Sequence, residues 1–170
     1  MKVVLRRATA EDIQFVWDCR QELVTGIGRS ATAPETFEGH TAWMTRALST
    51  PTRLFAIAVD RTAAQTRLGY VRADPAGHDT PAWMASLCLH STARGRGLAQ
   101  PVLRAGVALA AKAGLMPLLA DIHITNLASL KVFAACGFAP LPADCPHAAG
   151  LHSGFDRFIY IPVEGTHHGH

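Results

Sequence analysis

The chain has no apolar run long enough to cross a bilayer. A membrane span needs about 20 such residues, and the run from Val102 to Ala113 is interrupted by Arg104 and Lys112. The start, Met1 to Arg7, lacks the apolar core and small-residue cleavage site of a secretory signal. Neither a membrane location nor export is therefore expected. Cysteine is sparse: among Cys19, Cys88, Cys136 and Cys145 no pair has ligand or redox spacing. Reduced, buried thiols in a cytoplasmic protein are the simplest account. Charge is sparse as well, at 17% of residues and a formal net +3 with neutral histidines. There is no dense basic stripe, so nucleic acid is not an expected partner.

What is present is apolar. Of the 170 residues, 49% are hydrophobic, enough to bury a core without metals or disulfides. No internal repeat or domain-sized linker divides the chain, which reads as one mixed α/β domain over residues 1–165. Residues 166–170 read as a disordered His-rich tail. His167, His168 and His170, with His147 and His152 upstream, could chelate a divalent ion loosely. Without a rigid scaffold or carboxylate partners a frayed end is the better account, and no metal is expected.

The first unit is a strand near Val3 to Arg7, then a Thr9 cap with Asp12 three residues on, opening a helix through about Leu23. Thr25 to Glu38, rich in Gly, Ser, Thr and Pro, reads as a surface loop. A second helix is expected from about Glu38 to Leu48, stopping before Pro51. Strands follow at Arg53 to Val59, Arg67 to Arg72 and Trp83 to Leu89. A basic, glycine-bearing turn leads into a helix over about Leu98 to Ala113, closed by Gly114. Leu118 to Ile124 is a further strand, Asn126 to Cys136 a helix ended by Gly137, and Arg157 to Val163 a final strand after the loose segment Pro140 to Gly154.

The turn Arg94-Gly95-Arg96-Gly97-Leu98-Ala99 is a physical device for phosphate. Open amides at a helix start carry partial positive charge, and glycines let an anion approach the backbone closely. Arg94 and Arg96 can add charge-assisted bonds. No Lys follows Gly97, as the Walker pattern requires, and the third small residue of a dinucleotide fingerprint is missing. On six residues alone, an ordinary solvated strand-to-helix turn fits as well. The second element is Asn126 to Phe133 followed by Gly137-Phe138. Asn126 and Ser129, three apart, share a face of the helix start and could bond a ligand's amides. Asn126 also fits a plain N-cap, and Phe133 a core aromatic.

Strand, Arg-x-x-Gly-x-Ala turn, helix, strand, Asn-x-x-Ser helix, Gly-Phe: this order resembles the GCN5-related N-acetyltransferase (GNAT) family. The layout covers nearly the whole chain, and Trp83 to Phe138 carries the specific motifs. The resemblance implies a mostly antiparallel central sheet of six or seven strands flanked by helices, splayed between the fourth and fifth. It implies acetyl-CoA as cosubstrate, with the pyrophosphate on Arg94 to Ala99. The pantetheine arm would pair with Leu87, Cys88 and Leu89 as a pseudo-strand, and Asn126, Ser129 and Phe133 would lie along its far side. The family often forms homodimers, and strands exchanged at the C-terminus are one route.

Acyl transfer needs a neutral amine, a stabilised oxyanion and a proton for the departing thiolate. The Leu89 amide, or a neighbour's, could polarise the thioester. Asp121 and His123, two apart on one strand face, are the candidate bases, with Asp121 matching in position a glutamate used by ribosomal-protein acetyltransferases of the family. A strand end facing solvent fits these two residues equally well. Where the family often has a proton-donating Tyr, this chain has Phe133, so water, Ser129 or another group must serve, or the thiolate leaves unaided. The amine acceptor is expected to be a small molecule. Trp17 to Gln21 and His40 to Trp43 resemble family members that acetylate amino-sugar nucleotides, which nominates Arg20, His40 and Trp43 as substrate contacts; Trp17 and Trp43 also fit core aromatics. A protein N-terminus, a lysine or a drug-like amine is the alternative acceptor, and a CoA-binding sensor without catalysis the alternative function.

Overall fold

Where small and β-branched apolar residues run together the chain builds strands, and it stacks them largely in sequence order. The structure, a computed structural model, describes residues 2–22, 36–77, 80–142 and 144–162. Seven strands form one sheet: β1 (Val3–Arg7), β2 (Leu54–Asp60), β3 (Thr66–Pro75), β4 (Trp83–Leu89), β5 (Leu118–His123), β6 (Ala139–Pro140) and β7 (Phe155–Tyr160). Their spatial order is β1-β2-β3-β4-β5-β7-β6, and every neighbour pair is antiparallel except β4–β5. A parallel pair needs a crossover, supplied by α3 (Ala99–Lys112). The other helices are α1 (Ile13–Gln21), α2 (Phe37–Ser49) and α4 (Leu127–Ala135).

Each face of the sheet has its own core. On one, Leu103 and Val107 of α3 and Phe133 of α4 meet Leu118, Ala120 and Ile122 of β5, while Leu98 and Val102 meet Ala56, Ala58 and Val71. Helix α3 sits close because Gly106 faces Val71, where even a methyl group would come within 3.0 Å. On the opposite face Val16 and Cys19 of α1 and Met44 and Ala47 of α2 cover Phe55, Ile57, Tyr70 and Cys88.

Several boundaries differ from the sequence reading. Helix α2 starts at Phe37 because Thr36 caps it, its hydroxyl accepting from the Gly39 amide at 3.1 Å. Strand β3 continues to Pro75, paired with β4 throughout. Strand β6 is two residues long and includes a proline, so no alternation marks it inside the segment read as loose. Strand β7 begins at Phe155, two residues early. Helix α1 ends at Gln21 and β7 at Tyr160, both short of the expected Leu23 and Val163, while the expected loop 25–38 up to residue 35 and the tail 166–170 lie outside the described residues.

One buried charge knits the first elements together. The Asp12 side chain is fully buried, accepting from both Arg6 terminal nitrogens at 2.7 Å and from the Thr9 amide at 2.9 Å. Arg67 of β3 lies 2.9 Å away. Burial pushes the Asp12 pKa up, but the Arg6 bonds, the Thr9 amide and the two guanidinium charges outweigh it and hold the carboxyl below its ordinary value. A carboxylate whose folded pKa is depressed adds stability that is complete above the unfolded pKa and is lost as pH falls through the folded one. Asp12→Asn is therefore expected to cost about 2–3 kcal/mol at neutral pH. Its stability should also decline less than wild type's below the ordinary carboxylate range, as read by urea melts across acid pH; parallel curves would refute this role for the Asp12 charge.

Candidate active site

The parallel pair β4–β5 is joined only at its beginning. Trp83 pairs with Leu118 and Met84 with Leu119, and beyond them the strands part. Each keeps its outer neighbour: β4 stays on β3 to Leu89, and β5 on β7 to His123. Hydrogen bonding alternates along an antiparallel pair, so the inner edges can be assigned. The His90 amide bonds Leu68 at 3.0 Å and the Trp83 amide bonds Pro117 at 3.0 Å. Ser86 and Cys88 thus direct their peptide groups at β3, and Ala85, Leu87 and Leu89 direct theirs into the gap. On the far side the Ile124 amide bonds Gly154 at 3.0 Å, which turns the peptide groups of Asp121 and His123 into the gap. The expected contact strand Leu87–Leu89 is corrected at Cys88: its peptide is used by β3, and its side chain is buried against α1, the thiol 3.6 Å from the Cys19 carbonyl.

Because β4 and β5 are parallel, the turns leaving both lie at the same, open end. From β4 the chain passes through a short 3-10 turn, Ser91–Ala93, into Arg94 to Leu98 and then α3. Gly95 and Gly97 have φ of +68° and +71°, and a β-carbon at either would meet nothing within 4 Å. The backbone conformation, rather than crowding, demands glycine there. Leu98 is the N-cap of α3, contributes no capping side-chain bond and buries its own side chain, so no cap claims the amides that open at Ala99. Arg94 and Arg96 are exposed, but the Arg94 guanidinium turns back. Its Nε donates to the Leu89 carbonyl at 2.9 Å and its Nη2 to Glu22 at 3.0 Å. Glu22, which the sequence reading missed, also accepts from the Ser91 amide at 2.8 Å and hydroxyl at 2.5 Å. Burial pushes the Glu22 pKa up, but the Ser91 bonds and the His90 and Arg94 charges hold it below the ordinary range. This carboxylate fastens the end of α1 to the turn that precedes the glycines.

Helix α4 flanks the opposite side. Asn126 caps it, Oδ1 accepting from the Ser129 amide at 3.1 Å, so that side chain is engaged locally. Ser129 is half-buried. The Phe133 ring packs edge-on against Phe138, centroids 4.9 Å apart, and keeps only 6% of its surface exposed. It is a core aromatic rather than a lining of the gap.

The two candidate bases are both committed elsewhere. Asp121 receives Arg157 Nε at 2.6 Å and Nη2 at 2.7 Å, while Arg157 Nη1 donates to the carbonyls of His147 and Ala149. The pair clamps β5 to β7 and to the loop before it, and the Asp121 bond raises the Arg157 pKa against the opposing effect of burial. His123 Nδ1 accepts from the Thr125 amide at 3.3 Å and lies 2.9 Å from its hydroxyl. Both contacts engage the Nδ1 side of the ring with the residue two positions on. These partners weigh against Asp121 and His123 as direct bases.

Of the expected substrate contacts, two converge and one does not. Arg20 Cζ lies 4.7 Å from the Trp43 ring centroid. His40 is fully buried, its Nε2 3.0 Å from the Ile13 carbonyl, and burial lowers its pKa. It is a neutral core histidine among Trp17, Phe37 and Trp43, corrected as a substrate contact. Arg72, read from sequence only as a strand end and not as a site residue, joins Trp43 at 4.6 Å. Its only sequence mark is alternation within a strand run, and its place beside Ser86 depends on the β3–β4 register. Among the described residues no three His, Cys, Asp or Glu side chains gather as a metal site, and no helix is long and apolar enough to cross a membrane.

The sequence matches the family model described as an acetyltransferase (GNAT) domain over residues 2–139. A solved structure provisionally assigned as a phosphinothricin N-acetyltransferase superposes with a TM-score of 0.72 at 21% identity, over 93% of this chain and 96% of that one. A point mutant of spermidine N-acetyltransferase from Vibrio cholerae gives 0.72 at 13% identity, over 92% and 93%. The dodecameric Vibrio cholerae enzyme in an intermediate state also gives 0.72 at 13%, over 94% and 93%. At these identities the likeness is one of fold. No curated protein matches the chain.

If Asp121 and Arg157 form a clamp, the single changes Asp121→Asn and Arg157→Gln and their double should show a coupling on the order of 1–3 kcal/mol in urea melts. The pH profile of turnover should keep its shape in Asp121→Asn. A lost acid limb in that profile would restore Asp121 as the base.

Proposed function

The chain belongs to the GNAT acetyltransferase family, and from that premise we propose that it moves an acetyl group from acetyl-CoA to the primary amine of a small molecule. GNAT acetyltransferases take acetyl-CoA as cosubstrate. One observation carries the assignment to this site: the unpaired inner edges of β4 and β5 open at the end where Gly95 and Gly97 leave room beside a helix start.

The residues fit that cosubstrate. The left-handed turn has space for a diphosphate against the Gly95 to Ala99 backbone, with the α3 dipole behind it. Leu87 and Leu89 can pair with the two amides of a pantetheine arm, as an added strand pairs with a sheet edge. Ser129 offers a hydroxyl from the other flank. Bound there, the cosubstrate supplies an activated acetyl thioester. The Leu89 carbonyl is engaged by Arg94, so the inner-edge amides of Leu87 and Leu89 are the donors shared between the arm and charge developing on the acetyl oxygen. The amine proton leaves through water at the open end, and Phe133 has none to return. An amine of low basicity, already neutral in good part, suits a site whose described carboxylate, Asp121, is held by an arginine.

Solved neighbours named for phosphinothricin and for spermidine both name small amines. An amino-sugar nucleotide, expected from the Trp17 and Trp43 segments, loses much of its physical support, because Arg20, Arg72, His40 and Phe55 surround the Trp43 ring and leave little of it for a substrate ring. We further propose a homodimer in the cytoplasm, in keeping with four free cysteines and the exposed Ile161 beyond β7.

Gly97→Val tests the assignment, since a β-branched residue at φ +71° strains the backbone by about 1–3 kcal/mol and fills the anion's space. Acetyl-CoA affinity by calorimetry should fall on the order of tenfold or more, with the far-UV spectrum retained. Unchanged affinity would overturn the site.

A further inference from the structure

Resting on that reading of the gap, we infer that the acceptor amine carries an anionic group, a carboxylate, phosphinate or phosphate, which Arg72 reads while Trp43 holds Arg72 in place. The inference begins with register. Arg72 of β3 stands opposite Ser86 of β4, two residues past the last β4–β5 pair, beside the floor of the gap. Tyr70 and Cys88, one step along on the same face, pack under α1 and α2. Asp121 and His123 show their side chains on this face too, because Leu118, Ala120 and Ile122 belong to the α3 core. The acceptor must reach the thioester from this face, since α3 and its core close the other.

The charge there is positive and tightly held. Arg53 and Arg72 share one carboxylate, Asp74, so that trio carries one positive charge more than it neutralises. The Arg53 Nε is buried with no hydrogen-bond partner. Arg72 and Arg20 both press their guanidiniums on the Trp43 ring, at 4.6 and 4.7 Å, and Arg72 also lies 5.6 Å from Phe55. Cation–π contact offsets part of the cost of gathering like charges from α1 and β3, and rigid packing removes most of the entropy an arginine loses when it forks onto an anion. A polycation such as a polyamine would meet repulsion here. A carboxylate or phosphate two or three bonds from the amine would meet a fixed, half-buried guanidinium beside the reacting centre. Selection by charge beside the gap discriminates, because a neutral substrate leaves uncompensated the one positive charge that Asp74 cannot balance in the Arg53–Arg72 pair.

The test compares acids with their esters. Purified protein is titrated with N-acetylglutamate and its dimethyl ester, and with N-acetylglucosamine 6-phosphate and N-acetylglucosamine, in calorimetry without CoA. Turnover of the matching free amines and of spermidine is then measured with acetyl-CoA. Wild type should favour at least one acid over its neutral counterpart on the order of tenfold or more, in binding and in kcat/KM. The pair that shows it says whether the anion is a carboxylate or a phosphate. Arg72→Gln should collapse that ratio toward one, and Arg72→Lys should keep part of it, whereas loss of mere scaffolding would lower both members alike. Equal binding of every acid and its neutral counterpart, or spermidine as the best acceptor with Arg72→Gln silent, would overturn the inference. Anion binding that survives where acetyl-CoA binding fails would instead count against the reading of the gap alone.

Discussion

Everything in this molecule follows from two strands that start together and then separate. A sheet normally satisfies both edges of every inner strand, yet the peptide groups of Leu87 and Asp121 and the amides of Leu89 and His123 face a gap, the carbonyls of the last two being taken by Arg94 and the Asn126 amide. The fold tolerates this because each half is complete without the other. Strand β3 holds β4 along its whole length, and β7 does the same for β5. The cost is local, a few unpaired amides and carbonyls at a solvent-reached edge, and a ligand with alternating amides removes it. The parallel direction of the pair then places both outgoing turns and both helix starts at one end, where open amides and a left-handed glycine turn suit an anion.

Around the gap the carboxylates are structural. Asp12 binds Arg6 and Arg67, Asp74 binds Arg53 and Arg72, Asp121 binds Arg157, and Glu22 binds Arg94. Each pair bridges separate elements or fixes a side chain beside the gap. This allocation engages each of these four carboxylates with an arginine, and Phe133 supplies no acid. What remains for chemistry is geometry: backbone donors, exclusion on the α3 side and a cationic wall on the other. Such a site asks little of proton transfer and much of positioning.

The notable errors of the sequence reading have a common cause. His40 and Trp43 lie at helical spacing, and nothing local says that His40 points into the core while Trp43 sits at its margin under two guanidiniums. Asp121 and His123 do share a strand face as alternation required, but their partners, Arg157 and Thr125, come from a different strand in one case and from the next turn in the other. Arg72 and Glu22 were invisible because their importance rests on register and on the closing of α1 against the β4 turn, both long-range facts.

The residues alone determined six of the seven strands, the helices α3 and α4 with their glycine stops at Gly114 and Gly137, and the phosphate-suited turn, because periodicity, caps and positive φ are properties of short segments. Only the tertiary structure decided which inner-edge peptides are open, which charges are already paired, and which cation stands by the floor of the gap. The decisive pairings reach far along the chain, 36 positions for Asp121 with Arg157 and 72 for Glu22 with Arg94, and no local pattern encodes them.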